Sequence, residues 1–182
     1  MKNAARLLIN KLPHLRSAVS QLAKRDVLVG VPSEETERKE SDEKQPMTNA
    51  TLAYIHDNGS PAGNIPARPF MQPGIEAAKP KLTAQFKSAA QGALSGGDVE
   101  LSLNRAGLVA QASIRNEINQ GIGPALADST LRARIRNRTS IKGAKAELER
   151  RAETGISGTD LAKPLIATAQ LRNSIHYVIR SK

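Results

Sequence analysis

Apolar residues in this chain recur mostly at helical spacing. Leu8, Leu12, Leu15, Val19 and Leu22 fall three or four apart and predict an N-terminal helix, which Pro13 either kinks or restarts. Lys24 and Arg25 close it at the negative end of the helix dipole. The run Asp26-Val27-Leu28-Val29-Gly30-Val31-Pro32 has a different character. It is short, β-branched and ended by proline, so it predicts a strand. From Ser33 to Gln45 there is no apolar residue, and Glu34, Glu35, Glu37, Glu40, Asp42 and Glu43 alternate with Arg38, Lys39 and Lys44. That composition predicts a solvated, mobile loop over 33–47.

Helical patterning resumes at Thr51–His56, which Thr48 or Asn49 can cap and Asn58-Gly59 can stop. After a loop rich in Pro and Gly, a helix is predicted from Pro73 to about Leu94, interrupted by Pro80. Ser95-Gly96-Gly97 breaks it, and Asp98 can cap the next. The strongest helix is predicted over Val99–Asn119, where Val99, Leu103, Ala106, Ala110 and Ile114 share one face. Gly121 and Gly123-Pro124 end it. Shorter helices are expected over Ala127–Arg138 and Lys142–Ala152, the latter inside a charged insertion spanning 139–162. A partly helical stretch from Leu165 to Asn173 then leads into a terminal strand, Ser174–Ile179.

Strands near the start and at the end, with helices between, predict an α+β fold: a small antiparallel sheet covered by several helices. The length of 182 residues suits one domain, 1–182. At that size roughly 70% of the unfolded surface can be buried. Hydrophobic residues make up 39% of the chain but aromatics only 2%, so Leu, Ile, Val and Ala must fill the core. Ala-rich packing buries little area per residue, which points to added stability from neighbouring subunits.

The absence of cysteine removes disulfides, zinc thiolates and thiol nucleophiles from consideration. Apolar runs stay well short of the ~20 residues of a membrane span, and the N-terminus has no signal-peptide cleavage pattern. A soluble, non-membrane protein is therefore expected. The net charge of +10 suits a polyanionic partner, either DNA or an acidic protein surface.

Two groups of residues stand out as contact candidates. Pro66 and Pro69 stiffen the backbone around Arg68 and Phe70, because each disfavours helix at the residue before it. A stiff, low-entropy segment is useful at an interface. Alternatively, Phe70 anchors the loop in the subunit's own core and Arg68 pairs with a local carboxylate. Ala106 and Ala110 permit close approach of another element. The second group is Arg132, Arg134, Arg136 and Arg138, in pairs four apart flanking Leu131 and Ile135. They suit phosphate or an acidic partner, or else form a solvated basic face. No aromatic stacking platform accompanies them.

Catalytic chemistry has little support. His14, His56 and His176 lie on three separate elements with no metal-ligand spacing, and no catalytic residue, cofactor-binding residue or metal ligand is assigned. His56-Asp57 are adjacent on a helix and do not face each other. Gly59-Ser60-Pro61-Ala62-Gly63 lacks the Lys-Ser/Thr ending of a phosphate loop and reads as a turn. A non-enzyme without a cofactor is expected.

Three segments together resemble one family. They are Leu52-Ala53-Tyr54-Ile55-His56-Asp57-Asn58-Gly59 with Asn64-Ile65-Pro66-Ala67-Arg68-Pro69-Phe70-Met71, then Ala125-Leu126-Ala127-Asp128-Ser129-Thr130-Leu131, and finally Lys163-Pro164-Leu165-Ile166-Ala167-Thr168-Ala169-Gln170-Leu171-Arg172-Asn173-Ser174-Ile175. In order and approximate spacing they are similar to the tail-completion and head–tail joining proteins of tailed bacteriophages, also described as minor tail or virion morphogenesis proteins. The resemblance runs from Val27 to Ile179, with the IPARPF segment its most specific part. Ala169 stands where that family commonly has glycine, which predicts a different turn there.

The resemblance implies a structural virion protein that completes the tail and helps join it to the head, assembled in the host cytoplasm. Its partners would be other copies of itself in a ring, neck, tail-terminator or tail-tube proteins, and genome DNA through non-specific contact. Closing a ring needs two different complementary surfaces on each subunit, and Arg68, Phe70, Ala106 and Ala110 are the candidates. A neck or tail-terminator ring is the neighbouring reading. A basic, sequence-independent DNA-binding protein is the alternative of another class.

Overall fold

The structure, a computed structural model, describes residues 13, 16–17, 19–20, 22–33, 47–95 and 97–182. Leu8, Leu12 and Leu15 of the first helical stripe, and the acidic run after Ser33, lie outside the described residues. Among the described residues the elements are β1 (Arg25–Gly30), α1 (Asn49–Asn58), a single 3-10 turn at Pro61–Gly63, α2 (Met71–Leu94), α3 (Val99–Gln120), α4 (Asp128–Arg136), α5 (Ile141–Thr154), α6 (Gln170–Asn173) and β2 (His176–Ser181). The fold is α+β, with one two-stranded antiparallel sheet formed by β1 and β2.

The chain divides into two compact units, 1–29 with 77–111 and 177–182, and 30–76 with 112–176. The first holds a small apolar core. Ala93, Val99 and Leu103 are buried there, and Leu22, Val27 and Ile179 pack against them. Val99 and Leu103 are four apart on one face of α3, and Val27 of β1 and Ile179 of β2 pack on their cluster. Asp98 caps α3 by accepting the Leu101 amide at 3.1 Å. A Cβ at Gly107 would run into the Tyr177 ring, so glycine is what lets β2's aromatic side chain lie flat on α3. The Tyr177 hydroxyl meets Asn104 Oδ1 at 3.1 Å. Salt bridges here are peripheral, Arg25 to Glu100 and Lys182 to Asp26, each at 3.0 Å.

α2 differs from the sequence expectation. It is continuous from Met71 to Leu94 and passes through Pro80 unbroken. Pro80 lies on the exposed side of the helix, where the ladder hydrogen bond it lacks costs less than in a core.

The second unit has the larger share of buried residues. α4 packs on α5, and α1 on α6. Leu126, Leu131, Ala144 and Ala162 form the core between α4 and α5, with Ile135 and Leu148 against it. The segment 139–162, charged in sequence, thus folds into α5 and contributes to this core. Glu147 on α5 is itself fully buried. Its Oε1 accepts from Arg151 Nε at 2.8 Å and from the Gly158 amide at 2.9 Å, and its Oε2 pairs with Arg150. Outside that shell, Arg150 reaches Asp160 at 2.8 Å and Arg151 reaches Asp128 at 2.5 Å.

Candidate functional site

The stiff proline segment is held by the end of α1. Thr48 Oγ1 caps the start of α1 by accepting the Thr51 amide at 3.2 Å. At the other end Gly59 takes φ 79°, and its amide reaches Ile55 O at 2.7 Å. A Cβ on Gly59 would sit 2.8 Å from the Ala67 nitrogen, because the chain returns directly across this glycine. The returning segment is pinned by the Arg68 amide to His56 O at 2.7 Å. Asp57 Oδ1 then accepts the amides of both Phe70 and Met71, at 2.7 and 3.0 Å. Asp57 therefore caps α2 from across the loop, a structural role that its neighbour His56 does not share.

Held in this way, Phe70 and Arg68 both turn inward. Phe70 is fully buried, and Arg68 is only 6% exposed. The interior alternative holds for Phe70. Arg68 is interior too, but its partner is not a carboxylate: Nε and Nη2 both donate to Pro124 O, at 3.3 and 3.0 Å. Pro124 follows a cis peptide bond from Gly123. Ala106 and Ala110 are likewise buried. All four residues nominated for partner contact are thus packed within the chain, with Arg68 at the wall of a cavity.

The four arginines nominated for phosphate do not form one patch. α4 ends at Arg136 and Arg138 takes φ 55°, so the helical spacing that would align Arg134 with Arg138 is lost. Arg132, Arg136 and Arg138 are exposed. Arg134 is 7% exposed, on the Leu131 side of the helix, and its Nη1 donates to Lys163 O at 3.1 Å.

Arg68 and Arg134 come together at the wall of a cavity of about 280 Å³. All the segments that carried the family resemblance meet there. Leu52, His56 and Arg68 come from the first, Leu126 and Thr130 from the second, and Leu165, Ala167, Thr168, Gln170 and Leu171 from the third. The rest of α4 and the turn after it add Ala133, Arg134, Asn137 and Thr139. The third segment is shaped by backbone turns rather than by a long helix. Leu165 takes φ 62° and Ala169 φ 60°, and α6 follows as a single turn. Ala169, whose alanine was expected to change the turn, keeps the left-handed conformation that glycine favours.

The lining contains no Asp or Glu. Burial pulls the Arg68 guanidinium below its ordinary pKa. Burial, and after it the charge of Arg68, does the same to Arg134. The arrangement is therefore a mostly apolar cavity with two buried cations and several hydroxyl and amide groups, suited to holding an anionic group. Among the described residues no set of three His, Asp or Glu side chains is placed to hold a metal ion. His56 lines the cavity, His176 begins β2 on the surface, and His14 is outside the described residues.

Burial sets Arg134 apart from Arg132, Arg136 and Arg138, with which its spacing grouped it. Its spacing of three from Leu131 was the available signal, since residues three apart share a helix face. The nearness of Arg68 to Arg134 had no sequence signal, as it depends on how the loop folds back over α1. Comparison with family models, curated proteins and solved structures finds no match. No helix among the described residues is long and apolar enough to cross a membrane.

Proposed function

We propose that this chain is a non-enzymatic virion assembly component of a tailed bacteriophage, acting where the tail is completed and joined to the head. The observation that carries the reading is the convergence of separate sequence segments on one cavity. Residues 52–71, 125–131 and 163–175 are far apart in the chain, yet their side chains line one concave site. Their meeting at one site supports reading them together and not as three separate motifs. The action is binding geometry: the subunit docks on itself and on neighbouring tail or neck proteins. Contacts between subunits would fall to surface residues other than Phe70, Ala106 and Ala110.

Interrupting the gene in a phage that encodes the chain tests this. Electron microscopy of the lysate should show filled heads and tails that are not joined. Intact infectious particles at normal yield would reject the reading.

Contact with DNA has one specific observation behind it, the exposure of Arg132, Arg136 and Arg138 on a chain of net charge +10. Phosphate contacts of this kind position without reading sequence. Tight binding to one DNA sequence at physiological salt would replace the assembly reading with a DNA-binding one.

A further inference from the structure

We propose that the cavity beside α4 is a receptor for a carboxylate on an aliphatic stem, supplied by an acidic side chain of a partner protein, with Arg68 and Arg134 as its cationic contacts. The proposal concerns the isolated chain and stands whether or not the assembly reading does.

The first ground is an imbalance of charge. Both arginine residues are more than nine-tenths buried. Among the described residues neither has a carboxylate within ion-pair distance. Their hydrogen bonds go to the carbonyls of Pro124 and Lys163, which accept hydrogen bonds but carry no net charge. Buried charges are ordinarily paired, because the cost of desolvation is otherwise unmet. Here two like charges share one wall, and the depressed pKa of Arg134 reflects both burial and its neighbour.

The second ground is donors left over. Arg134 uses Nη1 on Lys163 O, and Arg68 directs Nε and Nη2 at a single oxygen. Arg134 Nε and Nη2 and Arg68 Nη1 do not appear among the sealed, unbonded nitrogens, whereas Arg115 Nε does. They remain open to a ligand. Guanidinium presents donors in a planar fork that matches the two oxygens of a carboxylate.

The third ground selects the stem. Leu52, Leu126, Leu165 and Leu171 supply an apolar wall, with Thr130 and Thr168 at hand for hydrogen bonds. A hydrated inorganic anion would leave those leucines facing its oxygens, while the methylenes of an acidic side chain would cover them. The volume of about 280 Å³ suits one side chain and excludes a nucleic-acid strand. The strongly basic balance of the chain favours an acidic partner.

The test titrates the full chain with N-acetylglutamate amide, its glutamine counterpart and inorganic phosphate, at one ionic strength, by NMR shifts of the cavity methyls and by melting temperature. The glutamate probe is expected to shift those methyls and raise the melting temperature, with at least about tenfold preference over glutamine, the scale of a charge-assisted pair. Arg134→Met should abolish that preference. In Ala133→Glu, a carboxylate built into the wall should raise the melting temperature and block the probe, which keeps the proposal testable if Arg134→Met does not fold. Equal response to glutamate and glutamine overturns it. Phosphate binding more tightly than the glutamate probe also overturns it, in favour of a small-anion site. An Ala133→Glu protein that still binds the probe would place the binding elsewhere.

Discussion

Two buried charge clusters lie in the same unit and could hardly be treated more differently. Around Glu147, a fully buried carboxylate receives an amide and two guanidiniums, and those guanidiniums have further carboxylates outside. Around the cavity, Arg68 and Arg134 are almost as deeply buried and receive only backbone carbonyls. The first cluster is closed: its charges are answered inside the chain, so its role is to hold α5 against α4 and the 158–160 turn. The second is open, and its imbalance gives an external anion something to neutralise. Burial of charge alone does not separate structure from function. The presence or absence of counter-charge does.

The largest expected effect is in the closed cluster. Glu147→Gln keeps the shape but leaves Arg150 and Arg151 without their inner partner, and should destabilise the protein by about 3 kcal/mol. Denaturant unfolding measures it. A loss under about 1 kcal/mol would mean that the outer carboxylates Asp128 and Asp160 hold the arginines unaided, and that the cluster is not closed around Glu147.

Acid should expose the same difference. Burial pushes the Glu147 carboxyl up, but the Gly158 amide and the Arg151 and Arg150 guanidiniums outweigh it and leave it below its ordinary value. A depressed folded pKa contributes stability that is full above the unfolded pKa and is lost as pH falls through the folded one. The advantage of the wild type over Glu147→Gln should therefore be constant near neutrality and shrink below the ordinary carboxylate range. Asp160, held low chiefly by its hydrogen bond to Arg150, titrates in the same direction. Subtracting the Glu147→Gln curve isolates the Glu147 share. An advantage that grows toward acid would invert the assignment.

A smaller effect of opposite sign belongs to the rim of the open cluster. Ala169 holds φ 60°, a conformation that costs an L residue roughly 1 kcal/mol. Ala169→Gly should relieve it and stabilise by up to about 1 kcal/mol, less the greater freedom glycine gives the unfolded chain. The melting temperature should rise, with the cavity's preference for carboxylate unchanged. A fall would mean that the alanine methyl contributes packing worth more than the strain.

What could be read from the sequence follows the range of the forces involved. The face of α3 running through Val99, Leu103, Ala106, Ala110 and Ile114 is buried as its spacing predicts, because helical period acts over neighbouring turns. The Thr48 and Asp98 caps are local in the same way. Asp57 capping α2, Glu147 going inside and Arg68 meeting Arg134 each depend on where a loop lands many residues away. Charge in sequence reads as exposure, and the rule fails where folding supplies partners or, at the cavity, where it withholds them. The third sequence segment contributed turn geometry that a helical reading of Leu165–Asn173 could not foresee, since α6 is one turn preceded by left-handed residues.

The smallest effect on stability, and the sharpest test of how arginines divide between the surface and the cavity, lies with Arg132 and Arg136. They sit on α4 beside Arg134 in sequence but face solvent. Exposed charges are screened within about 8 Å at physiological salt, so they make little use of the fold and the fold makes little use of them. Changing both to Ser should alter stability by no more than about 0.5 kcal/mol. Any weak binding of the chain to DNA should nevertheless fall, because released counterions scale with the phosphates neutralised. The slope of log affinity against log salt should drop by up to about 0.9 for each arginine that touches a phosphate. The carboxylate preference of the cavity should not move, since neither residue lines it. If the double substitution instead abolished binding of the glutamate probe while leaving DNA binding intact, the surface arginines would be the anion site, and the buried pair would be a structural oddity of the chain.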